Sequence, residues 1–254
     1  MRNLFVRSTQ VFLIVAFFVG WEWGARTKFI NPEWFSPPFG VFMRLYDETV
    51  NGSFLVHFWV TSLETITGFI AGVIGGLALG IALGMMPRVR EVVMPYLMAI
   101  YGIPRPALAP IFVLWFGIGL FSKIALIFSL VYFLIVIYVI AGYAAVNPKL
   151  IDLSKISGAK NHQIMTKIII PSMLPYIFAG MKLGVGLAII GAVVGEIIAS
   201  DSGMGYYVFQ SSQLADTEGI YVGLAGLGVF SLVLVLGMEW IDRHFFHWRT
   251  DTIV

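Results

Sequence analysis

The chain has 254 residues, a formal net charge of +2 and no cysteine; 59% of its residues are hydrophobic and only 12% are charged. A soluble domain carries roughly 25% charged and about 45–50% apolar residues, so this composition excludes a single water-solvated core and fits a chain solvated largely by lipid. Disulfides, thiolate metal sites and cysteine nucleophiles are excluded outright. A bilayer crossing needs about 20 apolar residues, which leaves room for several crossings and short loops.

In chain order, the pattern predicts an all-α membrane protein with about six transmembrane helices, spanning about 9–25, 58–86, 92–115, 122–143, 174–200 and 220–241. Arg2 and Arg7 before an apolar run mimic a secretion signal, but Trp21-Glu22-Trp23 is a poor cleavage site, so the run is read as a retained helix. Residues 27–51 carry Pro32, Pro37 and Pro38 and are read as a loop with a short surface helix. The second span places Gly68, Gly72, Gly76, Gly80 and Gly84 four residues apart. On a helix this makes one stripe without side chains, suited to close helix packing within the chain or against a second copy. Pro104, Pro106 and Pro110 interrupt the third span. Residues 201–219 read as a polar, Gly- and Ser-rich outer segment.

Lys and Arg in the loops set the orientation. With the N-terminus inside, the inner segments hold Arg2, Arg7, Arg88, Arg90, Lys149, Lys155, Lys160, Lys167, Arg243 and Arg249. The outer ones hold Arg26, Lys28, Arg44 and Lys123, which favours N-in and C-in. Trp21, Trp23, Trp34, Trp240 and Trp248 sit near the span ends, where aromatic rings favour the interface.

Residues 147–171 form the longest internal polar stretch. Asn147 and Pro148 suit an N-cap and first helical position. Leu150, Leu153 and Ile156 make one apolar edge. Asp152 is placed in the first turn, where the helix dipole favours an acid, and Gly158 suits a C′ position. A second short helix, 161–169, is predicted to end before Pro171 and Pro175 open the next span. Such a loop on the cytoplasmic side suits a rigid lever docked into another protein.

This stretch resembles the EAA loop of binding-protein-dependent ABC importer permeases: Glu-Ala-Ala, three residues, Gly, nine residues, Ile, one residue, Leu-Pro. The chain has Asp152-Leu153-Ser154, Gly158, Ile168 and Ile170-Pro171 at that spacing. Asp152 keeps the acid in shorter form, whereas Leu153, Ser154 and Ile170 depart from the pattern. Pro104-Arg105-Pro106-Ala107-Leu108-Ala109-Pro110, then Leu114-Trp115-Phe116-Gly117-Ile118-Gly119, is similar to the nitrate/sulfonate/taurine branch of these permeases. So are Gly195-Glu196, Ser202-Gly203-Met204-Gly205-Tyr206, and Ser62-Leu63 with Gly68-Phe69. Family members often carry a basic residue where Glu64 stands.

The resemblance implies a type I importer permease fold over residues 1–254, in a bacterial inner membrane. It implies a second permease chain, two cytoplasmic ATP-binding subunits and an extracytoplasmic solute-binding protein, with no nucleic-acid partner. ATP and magnesium would sit on the partner ATPases, since the chain has no Gly-x-x-x-x-Gly-Lys-Ser/Thr loop. Asp152, Ser154, Gly158, Ala159, Ile168 and Pro171 become the ATPase-coupling residues.

Ionisable groups at membrane depth are costly and often functional. Tyr101, Pro104, Arg105 and Glu196 are the candidates for a translocation path. Arg105 either meets an anionic solute or stabilises the proline break. Glu196 either lines a gate or holds the structure near Gly203–Gly205, Lys182 snorkels or pairs with another helix, and Glu64 reaches the outer interface. His244 and His247 fit a basic aromatic tail better than a metal site. The solute, a small one such as a sulfonate, nitrate or aromatic acid, stays open, as does homodimer against heterodimer. An ion-driven secondary transporter is the alternative, although the halves show no matching broken helices. An intramembrane enzyme would need converging acids, bases or nucleophiles that the spacing does not supply.

Overall fold

In the computed structural model, residues 2–31 and 33–245 are described; Met1, Pro32 and the predicted tail residues His247, Trp248 and Arg249 lie outside them. Every regular element among the described residues is helical: α1 (Arg2–Arg26), α2 (Pro38–Asn51), α3 (Ser53–Met85), α4 (Pro87–Tyr101), a 3-10 turn (Arg105–Leu108), α5 (Ala109–Phe116), α6 (Leu120–Ala144), α7 (Pro148–Ile156), α8 (Asn161–Ile164), a π turn (Met165–Ile169), α9 (Ile170–Ile198), α10 (Met204–Gln213) and α11 (Thr217–Phe245). Five helical stretches are long and apolar enough to cross a membrane, and a sixth crossing arises if the bent pair around residue 102 counts as one span.

The chain divides into two units, residues 1–60 with 201–228, and residues 61–200 with 229–254. In the first, the stretch expected as a loop with a short surface helix contains the four-turn helix α2. Pro38 stands at its start, and Gly52 in the left-handed region ends it by donating to the Glu48 carbonyl. Val41 and Leu45 pack with Phe54, Phe58, Met204, Tyr207 and Val222. The segment expected as polar loop, 201–219, in fact holds α10, whose Met204 and Tyr207 supply that apolar core. Arg44 grips Asp216 through both terminal nitrogens, at 2.7 and 2.6 Å, and its Nε donates to Glu48 at 2.9 Å.

In the second unit α6 forms the centre, with Ile127, Val131, Ile135 and Val139 fully enclosed. These residues repeat every four positions, as do the glycines of α3, and the two rows interlock: Gly68 faces Ile127, Gly72 Val131, Gly76 Ile135, Gly80 Val139 and Gly84 Tyr143. A branched side chain fills each of the first four gaps and the Tyr143 ring the fifth, so the helices approach closely and dispersion contacts replace the hydrophobic drive that lipid does not provide. The α9 helix does the same from another side, setting Gly180 on Tyr138, Gly191 on Leu130 and Gly195 on Lys123.

The second short helix of the polar stretch does not end before the next span, contrary to expectation; 161–198 runs as one helical element. The reason lies just before Pro171. Pro171 has no N–H to donate, and the turn widens there so that the Ile170 N–H reaches the Met165 carbonyl. The helix thus absorbs the proline as a π turn.

Candidate coupling surface and buried polar groups

The 147–171 stretch is built from both ends. The Asn147 side chain accepts from the Lys149 N–H at 3.0 Å and caps α7, with Pro148 as its first residue. At the other end the Ala159 N–H bonds the Ser154 carbonyl (2.9 Å) and the Gly158 N–H bonds that of Lys155 (3.0 Å), a Schellman closure with Gly158 at φ +81°. Lys160 N–H then donates to Gln163 Oε1 at 2.8 Å and starts the next helix.

Ile164 and Ile169 are buried in the core around α6, and Ile151, Ala159, Met165 and Ile168 pack against it. The opposite edge of α7 is bare: Leu153 is 61% and Ile156 85% exposed, with Leu150 also exposed. Beside the Gly158 bend lies a hollow of about 380 Å³ lined by Ser154, Ser157, Gly158, Ala159, Gln163, Ile164, Lys167 and Ile168. Asp152 and Pro171 are exposed, and Ser154 Oγ donates to the Leu150 carbonyl. Asp152 is not in the first turn as expected. Counting from Pro148 puts it in the second, beyond the reach of the helix dipole.

The third span breaks between Tyr101 and Arg105 with an 80° bend. Pro104 has no N–H to close the turn onto the Ile100 carbonyl. The Ile100 carbonyl accepts from the Ile103 N–H at 3.2 Å, and Arg105 adds a second donor: Nη2 bonds it at 2.8 Å, and Nη1 bonds the Ser129 carbonyl at 3.2 Å. Its guanidinium carbon stands 4.4 Å from the Phe133 ring centre and 5.4 Å from that of Tyr101, and the residue is buried. This geometry belongs to a group that holds the break. Arg105→Lys keeps the charge but has one nitrogen for two carbonyls and no plane to lay on Phe133. It is expected to cost on the order of 2 kcal/mol of stability, read as a lower melting temperature of the purified protein. Unchanged melting with lost transport would instead assign Arg105 to the solute.

Two of the ionisable groups do not stand at the interface or in a loop as expected. Glu64 and Lys123 are 2% and 4% exposed and form an ion pair at 2.7 Å. Lys123 Nζ also donates to Ser200 Oγ at 2.6 Å. Glu196, 1% exposed, accepts from Thr61 Oγ1 at 2.6 Å. Lys182 pairs with Asp242 of α11. His244 stacks on Trp240, and no cluster of three or more His, Asp or Glu residues suited to a metal occurs among the described residues.

The family of binding-protein-dependent transport system inner membrane components matches residues 72–249, most of the chain. The chain belongs to this family. The permease is 29% identical over 214 residues to a Bacillus subtilis permease protein provisionally named for aliphatic sulfonates, covering 84% of this chain and 78% of that one. It is 35% identical over 164 residues to the riboflavin transport system permease protein of Chloroflexus aurantiacus, which covers 64% of this chain and 61% of the relative. The taurine transport system permease protein of Escherichia coli is 29% identical over 167 residues, 66% of this chain and 61% of its own length. Among solved structures, the inward-facing MetNI methionine ABC transporter shares the fold, with a TM-score of 0.69 at 18% identity over 78% of this chain and 98% of that one. The permease is therefore a multi-pass ABC transporter component of the inner membrane.

Proposed function

We propose that the permease forms the path of an ATP-driven importer for a small organic solute and takes its motion from separate ATPase subunits docked on residues 147–171. Two copies of the permease pair, two cytoplasmic subunits bind ATP and magnesium, and an extracytoplasmic protein delivers the solute. N- and C-termini face the cytoplasm. An aliphatic sulfonate is the first solute to test, because the relative matched over 84% of the chain bears that name.

The observation that carries this reading is the bare edge Leu150, Leu153 and Ile156 on a loop rooted in the core through Ile164 and Ile169. An aliphatic side chain is worth about 2 kcal/mol when fully buried, so a groove covering this edge gains affinity from it. The rooting lets movement of the loop reach α9. Asp152, Ser154, Gly158, Ala159, Ile168 and Pro171 shape the same surface.

Copurification from the native operon tests it. The parent is expected to bring down an ATP-binding subunit, and Ile156→Asp, at a position 85% exposed, to lose it about 100-fold, equivalent to ~2.7 kcal/mol, with the permease itself intact. A parent that retains no ATPase when one is coexpressed would overturn the reading that residues 147–171 dock it.

A further inference from the structure

The helix between the first two spans, α2, is covered on one side and bare on the other. Val41 and Leu45 pack with Phe54, Phe58 and Tyr207, and Arg44 and Glu48 form their ion pairs on that side. Phe39, Phe42, Met43, Tyr46 and Val50 are each between 45% and 66% exposed. At 3.6 residues per turn these five fall within an arc of about 100°, and no charged residue of α2 stands inside it.

The start of α2 is tied to the end of the first span. Glu22, between Trp21 and Trp23, pairs with Arg26 through Oε1 and accepts the Phe39 N–H through Oε2 at 2.9 Å. A hollow of about 630 Å³ opens between the two helices, and its walls include Phe18, Val19, Trp23 and Phe39, with Glu22 and Arg26 toward the end of α1. Apolar walls that give way to charged ones over two turns follow the change from acyl chains to headgroups at the edge of a bilayer. Trp23, Phe29 and Trp34 are well exposed in the same stretch, and exposed aromatic rings gather at that level.

We propose that α2 lies along the bilayer surface, with the face from Phe39 to Val50 sunk into the boundary between headgroups and acyl chains at the Arg26 end of α1. That leaflet is the extracytoplasmic one in the orientation proposed above, and only its side rests on that reading. The ligand of the face is a phospholipid leaflet, into which an amphipathic helix sinks its apolar side by about 5–10 Å. A protein that binds and leaves does not fit, because each departure would return five large apolar side chains to water, whereas transient interfaces are no more apolar than the surface around them. The hollow joins the face to the bare apolar side of α1, with Phe12, Leu13, Val15 and Val19 exposed on a candidate span. This continuity favours lipid over a second copy. Through Arg44 and Asp216 the leaflet sets the height of the turn between α10 and α11.

The absence of native cysteine allows a direct test. Phe42→Cys and Tyr46→Cys are each labelled with an environment-sensitive fluorophore, and the labelled transporter complex is reconstituted into vesicles of phosphatidylethanolamine and phosphatidylglycerol. Both probes are expected to lose most of their emission to lipids carrying a nitroxide at the top of the acyl chain. They should lose less to lipids carrying it near the chain end, and little to iodide supplied on both sides of the membrane. Quenching by iodide and not by lipid would overturn the proposal in favour of a face open to water and to a protein arriving from it. Resistance to both quenchers would overturn it in favour of a second copy. Stronger quenching from the chain ends would place α2 in the hydrocarbon core and overturn it too. Both substitutions fall on exposed side chains, and either position alone gives the same readout.

Discussion

Gly76→Val is expected to abolish accumulation of folded permease. A Cβ at this position would lie 2.6 Å from the Ile135 Cβ and 2.8 Å from the Tyr132 carbonyl oxygen. Neither atom is the far end of a flexible chain, so relief requires α3 and α6 to separate, and separation at one rung loosens the rungs at Gly72 and Gly80. Overpacking a well-filled core costs about 1–3 kcal/mol and sometimes more; a backbone clash in the middle of the stripe belongs at or above the top of that range. The internal control is Gly186→Val on α9, where a Cβ would meet nothing within 4 Å. Detergent-solubilised yield and melting temperature should collapse for the first variant and hold for the second. Equal yields would mean that the stripe does not carry the packing.

Gly158→Val is expected to uncouple the permease while leaving it folded. The position has φ +81°, and a Cβ there would meet no atom within 4 Å, so the penalty is conformational. The left-handed region costs an L-residue about 1–2 kcal/mol, more for a β-branched one. Moving out of it breaks the Schellman closure that sets the direction from α7 to α8. ATP-dependent uptake in proteoliposomes should fall at least tenfold, equivalent to ~1.4 kcal/mol. Gly158→Asn tests the cause, since Asn visits this region readily. Substantial activity in the Asn variant and loss in the Val variant would identify backbone geometry. Equal loss in both would point to bulk at a contact.

Local features of the fold were legible in the sequence. The four-residue glycine repeat, the Asn147-Pro148 start and the Gly158 bend each depend on neighbours within one or two turns. The row that fills the glycine stripe, Ile127 to Tyr143, also has a four-residue period, but its match to α3 is a tertiary fact. A second glycine row on α9, at 180, 191 and 195, lies in an apolar run where a repeat broken by other glycines is easily missed. Helix α10 was lost behind Gly and Ser because its apolar residues form no clean periodic face: Met204 and Tyr207 are buried while Phe209 is exposed. The span boundary at Pro171 was misjudged because a π turn, not a helix end, accommodates that proline. Pairing was the least legible level. Glu64 and Lys123 lie 59 residues apart, and nothing local distinguishes a carboxylate bound for an interior partner from one at the membrane surface. For Arg105 the sequence left a solute contact and a structural break both open and leaned to the second, for which the missing N–H of Pro104 is the local signal.

The measurement that bears most directly on the central claim is a crosslink from the bare edge of α7. The chain has no cysteine, so Ile156→Cys introduces a single thiol at a position 85% exposed. Labelled with a short photoreactive probe in membranes coexpressing the full operon, it is expected to form an adduct with the ATP-binding subunit. Probes at Trp59 or Trp115, both also well exposed but on other elements, should form no such adduct. Capture of the ATP-binding subunit from Ile156 alone would establish the 147–171 loop as the place where ATP-driven motion enters the permease. Failure of the Ile156 probe to capture it, with the subunit present and active in the same membranes, would contradict the account.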